Sequence, residues 1–418
     1  MEEVLSVTAK TRVLLLTQWF DPEPTFKGLV FARELIRQGF DVEVVTGFPN
    51  YPGGKVYAGY KIKLIQRECI DGVQITRLPL YPNHDQSAIK RVINYASFAA
   101  SALFYGLFIA KRADVMYAYH PPLTVGVAAS LIRWLRGTPL VYDIQDMWPD
   151  TLSATGMLNN SRALGLVGRV CDWVYRRVDQ LVVLSPGFKR LLIQRHVPQS
   201  KIEVIYNWAD ESALTSPVGS LPANFPEDDR FKIVFAGNMG KAQSLDAVLD
   251  AALILQERGS RVCFVMLGGG VEVGRLKART QALALTNVVF LPAVPMAEVG
   301  TMLAAADALL VHLRKDPLFE ITIPSKTQAY MAVGKPLLMA VNGDAADLVK
   351  QSNSGLTAES ENPVALAEAA QCLADMPLDQ LLSMGNRARH FYQEHLGLAV
   401  GASKFGDIFK ALSNRAKG

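Results

Sequence analysis

The sequence predicts an α/β protein built from two doubly wound halves, and three observations carry that reading. The first is length: 418 residues exceed what one hydrophobic core comfortably serves, so the chain divides into two domains. The second is a run of short, wholly apolar stretches separated by amphipathic ones. Strands buried on both faces of a parallel sheet alternate with helices in this way. The third is "SALTSPVGSLPANFPEDD", rich in Ser, Pro and Gly and without periodicity, after which the alternation restarts.

In chain order, "VLLLTQWF", "VEVVTGF", "VMYAYH", "LVYDIQD" and "QLVVLS" read as strands of the first half. Amphipathic stretches such as "LVFARELIRQGF" and "SLIRWLRG" read as the helices between them. The second half repeats the pattern with "FKIVFAG", "CFVMLGGG", "VVFLPAV", "ALLVHL" and "PLLMAV". The domains expected are residues 1–212, a linker over 213–229, residues 230–395, and a terminal helix over 396–418 that returns to the first domain. No short repeat or low-complexity tract interrupts this order.

Composition narrows the function classes. Hydrophobic residues make up 50% of the chain and charged ones 20%, as in a folded globular protein with ample core. A net charge of +4 is too small for wholesale nucleic-acid binding. Cys69, Cys171, Cys263 and Cys372 lie far apart without CxxC spacing, and read as reduced core residues, not disulfides or a zinc site. In "MEEVLSVTAKTRVLLLTQWF" acidic residues precede the apolar run, which is not a signal-peptide pattern and points to the cytoplasm.

One segment bears on membranes. "KRVINYASFAASALFYGLFIAKR" (90–112) holds about nineteen uncharged residues between basic pairs, near the roughly 20 that span a bilayer. Asn94, Ser97, Ser101 and Gly106 dilute it, so it reads as a buried or membrane-apposed helix. Lys90, Arg91, Lys111 and Arg112, with Arg176 and Arg177 further on, suit anionic lipid heads. The alternative is a core helix with solvated ends.

Ligands on doubly wound sheets bind at the carboxyl ends of the strands, so the loops there carry the chemistry. "TQWFDPEPTFKG" follows the first strand where a dinucleotide enzyme would have G-x-G-x-x-G, which argues against a dehydrogenase. "LGGGVEVG" (267–274) is a weak signal alone. "PSKTQAYMAVGKP" (324–336) opens a helix with Pro324, Ser325 and Lys326. Either Ser325 caps that helix, or its free N–H groups, dipole and lysine bind an anion. No DxD or His/Asp cluster at metal spacing is visible, so neither a metal nor another cofactor is expected.

Together "VIYNWAD", "FAGNMGKAQSLDAVLDAA", "LGGGVE", "NVVFLPAVP" and "PSKTQAYMAVGKP" resemble family 4 glycosyltransferases of the retaining GT-B class. "LTQWFDPEPTFKG", "LIRQGFDVEVVTGFPNYPGGKVY" and "YDIQDMWPDT" are similar to the bacterial polysaccharide subgroup with the colanic-acid and O-antigen L-fucosamine (FucNAc) transferases. The resemblance implies two Rossmann-like domains facing across a cleft. It implies a UDP-sugar donor in the C-terminal half and a polyprenyl-diphosphate-linked sugar acceptor in the N-terminal half. The enzyme would then sit at the inner face of the cell membrane.

The same resemblance assigns residues. The loop and helix start from Thr322 and Ile323 to Thr327 would hold the donor diphosphate, Lys326 as cation and the N–H groups around Ser325 and Thr327 as donors. Such compensation is needed because negative charge grows on the leaving diphosphate. Gly237, Asn238 and Gly269 border the same group. Relatives' Arg and Lys fall on Asn238 and Gln243, and Lys241 between them either reaches the diphosphate or is a solvated lysine. The backbone of Pro292, Ala293 and Val294 would receive the base. Relatives carry two glutamates eight positions apart, which here fall on Ile321 and Ala329; Glu320, beside the first, is the candidate for the donor sugar, the alternative being a surface ion pair. Lys27 and Gly28 match the loop that approaches the phosphates.

In the N-terminal half Gln145 stands where many relatives have histidine. Asp146 beside it is the candidate base for the acceptor hydroxyl, or else ties down the Trp148-Pro149 turn. His120, ending "YAYHPPL", lines the same cleft or is structural. No carboxylate nucleophile stands out, which fits same-face attack assisted by the leaving phosphate. The two rival readings are a sugar-nucleotide epimerase and, from the missing glutamate pair, a catalytically degenerate membrane-associated assembly protein.

Overall fold

The computed structural model describes residues 10–83, 88–215, 220–222 and 224–417. The N-terminal residues 1–9, read above for a signal peptide, and linker positions 216–219 and 223 lie outside these. Two compact units result. One holds the chain to Leu184, Phe188–Ile205 and the stretch from Leu398 onward; the other holds Ser185–Gly187 and Tyr206–Gly397.

The first unit is an eight-stranded sheet. Its strands are β1 (Arg12–Leu16), β2 (Asp41–Gly47), β3 (Gln66–Ile70), β4 (Val73–Leu78), β5 (Val115–His120), β6 (Leu140–Ile144), β7 (Gln180–Val183) and β8 (Ile202–Val204). They are ordered β3-β4-β2-β1-β5-β6-β7-β8, and only β3 and β4 pair antiparallel. Every residue of β5 and β6 is buried, because helices cover both faces of a parallel sheet. β3, "QRECI", has no buried residue and offers no apolar run, which is why the sequence pattern passes over it. Its turn is nonetheless a hairpin signal: Asp71 and Gly72 both have positive φ (49° and 83°), as a two-residue type I′ turn requires. Cys69 on this strand is exposed, as is Cys372 on the helix Pro363–Asp375, so only Cys171 and Cys263 are core residues. All four are free.

The second unit is a six-stranded parallel sheet of β9 (Phe231–Ala236), β10 (Val262–Leu267), β11 (Val288–Leu291), β12 (Ala308–His312), β13 (Leu337–Ala340) and β14 (Gly355–Thr357). The order is β11-β10-β9-β12-β13-β14. Successive side chains point to opposite faces: Leu309 and Val311 of β12 enter one apolar cluster and Leu310 the other.

Each sheet reverses its winding once. The chain runs outward from β1 and returns to lay β5 on the other side of it; β12 is laid beside β9 in the same way. At such switch points the connections leave the carboxyl ends in opposite directions and open a crevice. The loops after β1 and β5, and after β9 and β12, are therefore the places to look.

The terminal helix Leu398–Lys417 packs within the first unit. Phe405 stands edge-on to Phe31 and Tyr117, and Phe409 edge-on to Phe40. Of segment 90–112, residues 90–108 lie in the helix Ala88–Phe108, and residues 109–112 follow its end. Its inward stripe of Asn94, Phe98, Ala102 and Tyr105 is buried. Among the described residues no helix is long and apolar enough to cross a membrane.

Candidate functional site

In the second unit the helix Ser325–Val333 is pinned to the end of β9. Tyr330, buried, accepts from the Ala236 N–H at 2.9 Å and donates to the Ala236 carbonyl at 3.4 Å. Ser325 does not cap this helix. Pro324 is the N-cap residue, and no side chain caps the first turn. The Thr327 N–H turns back to the Pro324 carbonyl at 2.8 Å, while the Ser325 and Lys326 N–H groups, with no acceptor among the described residues, keep their capacity for an external one.

Lys326 is the second residue of that helix, within its first turn. Its Nζ sits 3.5 Å from the centre of the Phe235 ring, a cation–π contact, and no carboxylate among the described residues pairs with it. Burial alone pulls its pKa down to about 7, because a buried ammonium loses hydration that nothing returns. Gly237 makes room: its φ is 125°, and a Cβ there would come within 2.9 Å of Lys326 Cε.

Glycines also let the loops after β9 and β10 lace together. A Cβ on Gly268 would lie 2.1 Å from the Gly237 carbonyl oxygen. The Met239 N–H donates to the Gly269 carbonyl at 2.6 Å. Asn238, Lys241 and Gly269 are exposed on this edge. His312, at the end of β12, holds the turn carrying Lys241: its Nδ1 meets the Gln243 carbonyl at 2.6 Å while burial lowers its pKa. Ala293 and Val294 form the loop after β11, and their backbone groups make no backbone hydrogen bond among the described residues.

Glu320 ends the short helix Pro317–Glu320, which Asp316 caps by accepting from the Leu318 N–H at 3.0 Å. It is half-buried and makes no ion pair among the described residues. Thr322 donates back to the Leu318 carbonyl at 2.7 Å, and Ile323 is buried in the core. Thr327 is buried too, its hydroxyl unpartnered among the described residues.

The first unit places Lys27 differently from a phosphate-facing lysine. Its Nζ meets Asp143 Oδ2 at 2.6 Å with both side chains wholly buried. Asp143, on β6, also accepts from the Tyr117 hydroxyl and from Gln145 Nε2, both at 2.6 Å. Three donors on one carboxylate lock the loop after β1 to the middle of the sheet. Gly28 follows as the N-cap of the helix Leu29–Arg37. A Cβ there would lie 2.1 Å from Asp21 Oδ2, the oxygen that accepts from the Leu29 N–H at 2.6 Å.

His120 is buried between Tyr142 and Trp148, edge-on to both. Burial drops its pKa to about 3, so it stays neutral at physiological pH. Asp146 is half-buried, and burial raises its pKa, which makes the carboxylate a better proton acceptor.

Glu23, absent from the sequence reading, is a second acid of the first unit perturbed by burial, in the loop after β1. Its Oε1 accepts from the Asn50 and Tyr51 N–H groups, each at 2.7 Å, tying the loop after β1 to the loop after β2. Burial nevertheless pushes its pKa up from 4.5 to about 7. The folded state then holds this proton more tightly than the unfolded one, so stability falls as pH rises from about 4.5 to about 7. Glu23→Gln is expected to flatten that slope in urea titrations at pH 5 and 8; an unchanged slope would assign it elsewhere. The signal available in sequence was only an acid between prolines, "DPEP".

Two Rossmann-like units with their switch-point loops so arranged are the GT-B architecture. HepE of Anabaena, solved in complex with UDP, matches with a TM-score of 0.66 at 15% identity, covering 96% of this chain and 100% of that one. Residues 29–208 match the Glycosyl transferase 4-like domain and residues 221–391 match Glycosyl transferases group 1. The chain belongs to the glycosyltransferases that carry these two domains. It is 26% identical to the glycosyltransferase WbjE of Pseudomonas aeruginosa over 314 residues, 74% of this chain and 77% of that one. It is 27% identical to WcaI of Escherichia coli K12, named for colanic acid biosynthesis, over 311 residues, 72% of this chain and 75% of that one.

Proposed function

We propose that this glycosyltransferase moves a sugar from UDP to a polyprenyl-diphosphate-linked acceptor during assembly of a bacterial surface polysaccharide. The observation that carries the donor assignment is Lys326. It is a largely buried cation without a carboxylate partner, at the uncapped start of a helix beside a glycine-lined loop. A diphosphate supplies the charge such a site lacks. HepE, with the same architecture, was solved with UDP and with UDP-glucose. The polysaccharide context comes from the name of WcaI. An N-acetylated deoxyhexosamine such as L-FucNAc is the donor sugar we favour, on the resemblance of the N-terminal motifs.

The first unit takes the acceptor. Asp146, its pKa raised by burial, is suited to receive the acceptor hydroxyl's proton, whereas neutral His120 offers only a hydrogen bond. We infer retention of configuration: same-face attack, with the departing phosphate sharing the proton, needs no carboxylate nucleophile. Lys326 and the helix start compensate the leaving charge without a metal. Turnover is therefore expected to continue in excess EDTA; a loss restored by magnesium would refute this part. The epimerase alternative has no counterpart in the family matches. The overall test is a screen of UDP-sugars against a short lipid-diphosphate-sugar, read by mass spectrometry. Binding of UDP-sugars without turnover on any acceptor would favour the degenerate assembly protein.

A further inference from the structure

We propose that the outward ridge of the helix Ala88–Phe108, with Trp134 beside it, lies flat in the interface of an anionic bilayer. This rests on the proposed lipid-linked acceptor for its choice of partner, and on the first unit alone for its geometry. Ile89, Val92, Ile93, Phe104 and Phe108 are 73%, 62%, 46%, 59% and 73% exposed, and Trp134 on the packed helix Leu123–Arg136 is 72% exposed. They recur at helical spacing, and the other exposed residues among them are Lys90, Ala96 and Ala100. A surface helix normally turns its polar face outward; this one buries Asn94 and exposes phenylalanine. Its 21 residues give a strip roughly 30 Å long at about 1.5 Å per residue.

Charge selects the occupant. From Ala88 to Arg112 there is no acidic residue; Arg91 lies near one end of the strip, beside Lys90, which has a partner of its own, and Lys111 and Arg112 lie at the other. Pairing with a second copy of the same strip, parallel or antiparallel, sets basic ends against basic ends. Anionic headgroups complement both ends at once. The neighbouring Arg133 and Arg136 are used within the unit, on Asp179 and on the Gly106 and Ala110 carbonyls. Trp134, apolar but with one N–H donor, suits the boundary between headgroups and chains.

Flotation of the full chain with phosphatidylglycerol-containing vesicles, against pure phosphatidylcholine, tests this without any substrate. Preferential binding to the anionic vesicles, weakening with salt, is expected. Phe104→Ser with Phe108→Ser should cut binding about tenfold or more for the lost apolar area. Changing Lys90, Arg91, Lys111 and Arg112 to Gln should remove the anionic preference, at about fivefold per charge. Brominated lipids should quench Trp134, and Trp134→Phe should abolish that quenching while flotation persists. Circular dichroism melts check that the variants fold. Equal flotation of parent and variants, or no flotation at all, overturns the proposal. So does a lipid-free dimer, seen by sedimentation, that the Phe pair variant dissolves. UDP binding by the same preparation keeps the outcomes separate: lost flotation with intact UDP binding defeats only this inference, and the converse defeats only the donor assignment.

Discussion

Lys326→Ala is expected to weaken UDP binding by about 1.5–3 kcal/mol, the worth of one charge-assisted contact, or roughly 10- to 150-fold in Kd. The pH dependence makes the test specific. With its pKa near 7 in the free protein, Lys326 is mostly neutral at pH 8 and must take up a proton when a diphosphate docks against it. UDP affinity should therefore be flat below about pH 7 with respect to this group and fall above it, by up to about tenfold per pH unit. Calorimetry at pH 8 in two buffers of different ionisation enthalpy should register the proton uptake, and the alanine variant should register none. Unchanged affinity and no uptake would remove Lys326 from the site.

Asp143→Leu is expected to destabilise the first unit by about 3–5 kcal/mol, the usual cost of leaving one partner of a buried ion pair without the other. Lys27 would lose its counter-charge in a wholly buried position, where burial already lowers its pKa despite the carboxylate, and must either stay charged at a desolvation cost or give up its proton. The double change Lys27→Met with Asp143→Leu removes both charges and should recover part of that loss. A double variant as unstable as the single one would show that the Tyr117 and Gln145 hydrogen bonds, not the ion pair, set the cost. Guanidinium denaturation of the full chain measures all three proteins.

The two windings were legible in the sequence because strands buried on both faces are continuous apolar runs, as "VMYAYH" of β5 and "VCFVML" of β10 are. β3 was not: an edge strand with "QRECI" is specified by its partner β4 and its Asp71-Gly72 turn, not by its own hydrophobicity. The cysteines divide for the same reason. Spacing says that Cys69 and Cys372 have no partners, but only placement on an edge strand and an outer helix face says that they are exposed.

The sequence by itself determined where the helix Ser325–Val333 begins, that a lysine stands in its first turn, and which loops carry glycine, since these follow from local residue order. Only the tertiary structure decided what the charges there do. Lys326 is nearly desolvated because Phe235, from β9, covers it, whereas Lys27 is withdrawn into a pair with Asp143 from β6. Glu23 titrates near neutrality because burial in the fold outweighs the hydrogen bonds that Asn50 and Tyr51 donate to it from a different loop. A charge's free energy sums solvent loss and partners from every direction, and periodicity along one strand or helix reports only which face is apolar. Two lysines that look alike in sequence thus become a candidate anion-binding group and a structural one.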